Sequence, residues 1–144
     1  MTRYKVLFLC TGNSCRSQMA EGWARALHGD VMDVWSAGIE THGLNPLAVK
    51  AMAAAGVDIS GHRSQHIDEL QDVAFDLVVT VCDNARESCP ILPGEAKQLH
   101  HSFPDPPYLA REAADEEEAL EHYRVVREQI REFVAGLPTE LGSA

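Results

Sequence analysis

The apolar positions of this chain fall into short runs with sharp ends. Tyr4-Lys5-Val6-Leu7-Phe8-Leu9 is brief, apolar and stopped by a glycine-containing segment, which predicts a buried strand. Arg16 to His28 carries Met19, Ala20, Trp23, Ala24 and Leu27 at helical spacing and predicts an amphipathic helix. Met32 to Ala37 predicts a second strand, closed by Gly38. Pro46 to Ala55, with proline early and Gly56 just past the end, predicts a second helix. Ile67 to Leu70 predicts a short helical turn, Asp76 to Val81 a clear strand and Ala96 to His100 a weaker one. Asp115 to Ala135 predicts a long helix with Leu120, Tyr123, Val126, Ile130 and Phe133 along one face. Its acidic start, Asp115 to Glu118, reads as a solvated helix N-terminus favoured by the macrodipole.

Strands alternating with helices imply an α/β fold, a parallel sheet with helices on both faces. The chain of 144 residues suits one domain over 1–136, with 137–144 expected as a flexible tail. In such sheets ligands bind beyond the carboxyl ends of the strands. Cys10 follows the first strand, Cys82 the third, and Asp105 lies shortly after the fourth, so all three are expected at one sheet edge.

Charge narrows the function. A formal net charge of -10 argues against a nucleic-acid footprint and against a polybasic membrane-surface role. The N-terminal apolar run is too short for a leader, and nothing approaches a membrane span. A cytoplasmic setting is therefore expected, where thiols stay reduced and disulfides are transient and catalytic. A monomer is the expected state.

The run Cys10-Thr11-Gly12-Asn13-Ser14-Cys15-Arg16-Ser17 leaves the first strand and enters the first helix. Successive backbone N–H groups there can cradle a tetrahedral anion, aided by the helix dipole. Gly12 permits close approach or positive φ, and Asn13 tolerates the left-handed region. Arg16 offers a planar fork of donors. This positive field is expected to lower the Cys10 pKa from ~8.5 toward the ~3.5–7.5 range of activated thiols. Ser17 is placed to donate a hydrogen bond to that thiolate, whereas Cys15 reads as a small residue packed behind the loop. Phosphate-loop and dinucleotide-binding glycine patterns are both missing. Asp105 sits among prolines in Ser102 to Tyr108, which are expected to hold the segment stiff and extended. That is a suitable mount for a general acid.

Val6 to Glu21, VLFLCTGNSCRSQMAE, closely resembles the signature of the low-molecular-weight tyrosine phosphatase superfamily, and within it the thioredoxin-coupled arsenate reductases. The resemblance extends to VTVCDNARESCP at Val79 to Pro90 and FPDPP at Phe103 to Pro107. It implies a three-layer αβα sandwich around a four-stranded parallel sheet of order 2-1-3-4. It further implies arsenate as substrate, bound by Thr11, Gly12, Asn13, Ser14, Cys15, Arg16 and Ser17, with Cys10, Arg16 and Asp105 catalytic. A phosphatase of this fold would lack the Cys82/Cys89 pair and would usually read Asp-Pro-Tyr-Tyr where this chain has Asp105-Pro106-Pro107-Tyr108.

The resemblance also implies a relay in which Cys10, Cys82 and Cys89 pass oxidation to a Cys82–Cys89 disulfide. Thioredoxin then reduces it, with no tightly bound cofactor; glutaredoxin with glutathione is the alternative reductant. Seven residues of helix span about 10.5 Å, whereas a disulfide needs Cα atoms within roughly 7 Å. If the segment is helical when reduced, oxidation must unwind it. Hydrolysis of phosphomonoesters by the same loop is the competing function, and weak phosphatase activity is an expected side reaction. A thiol-based metal-binding or sensing protein is the third reading.

Neither the cysteine spacings nor His100-His101 match a zinc site. Some relatives bind potassium through residues resembling Asn13, Glu21 and Ser36, with an acidic fourth ligand where this chain has Gln65. The neutral amide argues against that ion here. His62, close by, is read as a surface histidine.

Overall fold

The computed structural model describes residues 4–70, 72–81 and 97–137. Four parallel strands, β1 (Tyr4–Cys10), β2 (Met32–Gly38), β3 (Leu77–Thr80) and β4 (Lys97–His100), lie in the order β2-β1-β3-β4. Val6 through Cys10 are all buried. A strand covered on both faces needs no polar alternation, which is why β1 reads as an unbroken apolar run. β4 at the edge is polar, with Lys97 and Gln98 exposed, as suits a strand with one unpaired side.

The helices are α1 (Arg16–His28), α2 (Pro46–Ala54), a 3-10 turn (Ile67–Leu70), α3 (Pro106–Leu109) and α4 (Glu116–Ala135). α1 covers β1 and β2, while α4 packs on α1 and α2. Polar ties join them as well: Trp23 Nε1 donates to the Arg127 carbonyl at 3.2 Å, and Arg127 Nη1 donates to the Ala51 carbonyl at 2.8 Å. Asp115 caps α4, accepting from the Glu118 N–H at 2.9 Å, while Glu118 accepts from the Ala114 N–H at 3.1 Å. Among the described residues no helix is long and apolar enough to cross a membrane.

Three expectations need correcting. Pro106 and Pro107 do not continue an extended segment. They open α3, because a fixed proline φ suits the first helical turn once Asp105 occupies the N-cap. Leu27, expected on the buried face of α1, is 39% exposed in the last turn. The core also runs past 136: Leu137, expected in a flexible tail, is buried, and 138–144 lie outside the described residues.

Gly38, at the end of β2, fixes where the first loop sits. A Cβ there would lie 2.5 Å from the Glu40 carbonyl oxygen, 2.8 Å from the Asn13 nitrogen and 2.8 Å from the Thr11 carbonyl oxygen. All three are backbone atoms and cannot swing aside. Gly38→Ala is therefore expected to destabilise the chain by about 1–3 kcal/mol, as an overpacked site does. Urea unfolding measures this; unchanged stability would contradict the close approach.

Candidate active site

β1 delivers Cys10 to the carboxyl edge of the sheet, and the chain turns through 11–15 into α1. The turn is possible because Asn13 adopts φ 47°, the left-handed region that asparagine tolerates. Its side chain holds the turn from both ends. Asn13 Nδ2 donates to Ser17 Oγ at 2.9 Å, and Asn13 Oδ1 accepts from the Gln65 N–H at 2.8 Å. Asn13 and Ser17 are fully buried.

Every carbonyl from Thr11 to Ser14 is tied from outside the loop. Thr11 accepts from the Glu40 N–H at 2.9 Å, Gly12 from the His42 N–H at 3.0 Å, and Ser14 from the Asn45 N–H at 3.0 Å. Gly12 also accepts from Ser64 Oγ at 3.0 Å, and Asn13 from Gln18 Nε2 at 3.0 Å. In a planar trans peptide the N–H points opposite to the carbonyl. Carbonyls drawn outward therefore turn the following amides toward the concave side. α1 itself has no side-chain cap at its N-terminus, unlike α2 and α4, whose caps are Asn45 and Asp115. Its first N–H groups share the same concavity.

That concavity is a cavity of about 340 Å³ lined by Cys10, Thr11, Gly12, Ser14, Cys15, Arg16, His42, Asp105 and Pro107. Arg16 joins its two sides. Nη1 donates to the Phe103 carbonyl at 3.1 Å, and Nη2 lies 3.7 Å from Asp105 Oδ1. Its Nε is buried with no hydrogen-bond partner among the described residues. An unpaired buried donor is costly, and an oxyanion oxygen would satisfy it. Phe103 anchors the Asp105 segment by packing with His101 and Phe133, at ring separations of 4.5 and 5.7 Å. His101 thus has a packing role.

The loop holds two buried thiols. Burial pushes the Cys15 thiol far above its ordinary range, with Asp105 adding to the rise and Arg16 opposing it. Cys15 therefore stays a neutral thiol, and Cys10 is left as the candidate nucleophile of the loop. Cys82 and Cys89 lie outside the described residues.

The residues that resemble potassium ligands in some relatives hydrogen-bond one another and their neighbours. Glu21 Oε1 accepts from Ser36 Oγ at 2.5 Å and Glu21 Oε2 from Arg25 Nε at 2.8 Å. Gln65 Nε2 donates to the Ser36 carbonyl at 2.9 Å, and both Asn13 oxygens are already engaged. His62 is not a surface histidine: its side chain is 15% exposed, its Nδ1 lies 3.1 Å from Gln18 Oε1, and its Nε2 is 3.6 Å from Glu21.

Sequence reasoning placed Cys10, Cys82 and Asp105 at one edge; the structure brings Cys10 and Asp105 together there, with Arg16 between them, and Cys82 lies outside the described residues. It missed His42 and Pro107. The rule that ligands bind beyond the strand ends applies equally to β2, and applied there it would have brought the segment after Gly38 to the same edge.

The chain matches the family model described as low molecular weight phosphotyrosine protein phosphatase over residues 5–144. It belongs to that family. Among curated relatives, arsenate reductase of Bacillus licheniformis is 50% identical over 134 residues, covering 93% of this chain and 94% of that protein. Arsenate reductase of Bacillus subtilis is 52% identical over 125 residues, 87% of this chain and 88% of its own. A solved arsenate reductase described as in the phosphate binding state superposes with TM-score 0.76 at 33% identity, covering 96% and 98% of the two chains. A low molecular weight protein tyrosine phosphatase from T. tengcongensis superposes with TM-score 0.74 at 28% identity, covering 95% and 99%. The three-layer αβα sandwich is thus shared by reductases and phosphatases, and the fold alone does not separate them.

His62 supplies a pH test of the cluster behind the loop. Burial lowers its pKa, while Glu21 opposes the shift, Arg25 reinforces it and Asp58 opposes it. The unfolded chain therefore takes up this proton first as pH falls, and folded stability drops from about pH 6.5 downward. Unfolding free energy should fall more steeply between about pH 7 and pH 5 in the parent chain than in His62→Gln. Parallel profiles would contradict the assignment.

Proposed function

We propose that this chain is an arsenate reductase that converts arsenate to arsenite through a Cys10, Cys82 and Cys89 relay and is regenerated by thioredoxin. The observation that carries the reading is the half identity to two Bacillus arsenate reductases along nearly the whole chain. A cavity lined by Cys10, Arg16 and Asp105 supports it.

In the proposed sequence arsenate sits on the loop amides and Arg16. Cys10 thiolate, aided by a hydrogen bond from Ser17, attacks arsenic. Asp105 gives its proton to the departing hydroxide, which leaves as water. Cys82 thiolate then attacks the Cys10 sulfur. A Cys10–Cys82 disulfide forms, and the electron pair of the sulfur–arsenic bond stays on arsenic, which departs as arsenite. Cys89 thiolate attacks Cys82, frees the Cys10 thiolate and leaves a Cys82–Cys89 disulfide. The dithiol of thioredoxin reduces that disulfide by exchange, so no bound cofactor is required. The same Cys10, Arg16 and Asp105 would support weak phosphomonoester hydrolysis as a side reaction.

The test is arsenate-dependent NADPH oxidation coupled through thioredoxin and its reductase, read beside p-nitrophenyl phosphate turnover. Cys89→Ser should release one arsenite per chain and then stop. Arg16→Ala should lower kcat/KM by roughly 10²–10³-fold, as loss of an oxyanion donor does. Sustained turnover by Cys89→Ser would overturn the relay. Vigorous phosphatase activity without arsenate-dependent oxidation would overturn the substrate.

A further inference from the structure

His42 lines the anion cavity beside Cys10, Arg16 and Asp105, and the proposed chemistry does not use it. Its place is built from the backbone outward. The His42 N–H donates to the Gly12 carbonyl at 3.0 Å, and the neighbouring Glu40 N–H holds the Thr11 carbonyl. The ring then lies over Gly12: a Cβ at position 12 would be 2.3 Å from His42 Nδ1 and 2.8 Å from its Cγ. Glycine at 12 is what gives the ring room.

The ring's tautomer follows from its partner. His42 Nε2 is 2.7 Å from Glu40 Oε2. A carboxylate partner favours the tautomer with the proton on Nε2, which leaves Nδ1 as the ring's acceptor. Nδ1 is also the atom that meets the loop. The charged and titratable groups around it are Glu40 on its own segment and Cys10, Arg16 and Asp105 across the cavity.

Beyond the hydroxyls of Thr11 and Ser14, the described lining offers an anion mostly donors. The loop amides and Arg16 are all donors, and Asp105 in its proposed role arrives with a proton to give. These suit bare oxygens. Doubly charged inorganic arsenate or phosphate retains one hydroxyl, however, and that hydroxyl needs an acceptor. An ester of the same charge carries carbon on that oxygen and has no proton to offer.

We propose that His42 is a specificity-determining residue. Its Nδ1 accepts the hydroxyl of an inorganic oxyanion and so favours the free anion over its esters. This deepens the reductase reading, and rests on it only for the identity of the physiological anion. Glu40 is the positioning residue that fixes the tautomer.

The experiment uses inorganic phosphate and phenyl phosphate as probes, neither of which oxidises thiols. Each is titrated as a protectant of Cys10 against iodoacetamide, read by the mass of the Cys10 peptide, in the parent chain, His42→Ala and His42→Asn. His42→Ala should weaken protection by phosphate about fivefold, the worth of one hydrogen bond, and leave phenyl phosphate unchanged. His42→Asn, which keeps an acceptor near the place of Nδ1, should recover most of the phosphate loss. Equal weakening of both ligands would mark a structural role and overturn the inference, as would no change in either. A shifted ratio in a chain that fails to reduce arsenate would leave His42 standing and remove the reductase reading alone. Failure of both ligands to protect the parent chain would remove the oxyanion site and His42 with it.

Discussion

Four peptide carbonyls in a row, from Thr11 to Ser14, are pulled out of the loop that follows β1, and the site depends on that. The donors come from Glu40, His42 and Asn45 of the segment after β2, from Ser64, and from Gln18 on α1. No single bond is strong, since each contributes on the order of 1 kcal/mol net. Together they set the direction of the intervening peptide planes. Amides face one side and carbonyls the other, so an anion meets fixed dipoles that need no reorganisation.

The parallel pairing of β1 with β2 makes this possible. Cys10 pairs with Gly38, so the two strands end level and their following segments emerge together. Gly38 has no side chain to hold the segments apart. Behind the loop, hydrogen bonds join Asn13, Gln18 and His62 on one side and Asn13, Gln65, Ser36, Glu21 and Arg25 on the other, with His62 Nε2 3.6 Å from Glu21. Arg25 donates to Glu21 and the Gln65 amide to the Ser36 carbonyl within this set. In front, Arg16 ties the loop to the Phe103 carbonyl and brings Asp105 over the cavity.

Much of this was readable from the chain, for identifiable reasons. β1 and α1 were legible because apolar run, loop glycine and helical spacing agree with one another. The rule that ligands bind beyond the carboxyl ends of parallel strands put Cys10 and Asp105 at one edge. α3 was not legible, because proline-rich runs serve both extended segments and helix starts, and only the N-cap position of Asp105 decides between them. Leu27 was misplaced because spacing identifies a helix face but not how far its cover extends. His42 and the burial of His62 escaped notice because both arise from contacts between segments distant in sequence. Gln65, flagged by its neutral amide, sits in the same cluster: its Nε2 donates to the Ser36 carbonyl and its N–H to Asn13 Oδ1.

The central claim is that the backbone from 12 to 16, with Arg16, forms a ready-made oxyanion cradle over Cys10. The most direct measurement is a titration of ¹⁵N-labelled protein with inorganic phosphate, following backbone amide signals and the Arg16 Nε–H. The amides of residues 12–16 and the Arg16 Nε–H should shift together, saturably and with one affinity. Saturable binding that leaves those signals in place, or no binding at all, would contradict the account.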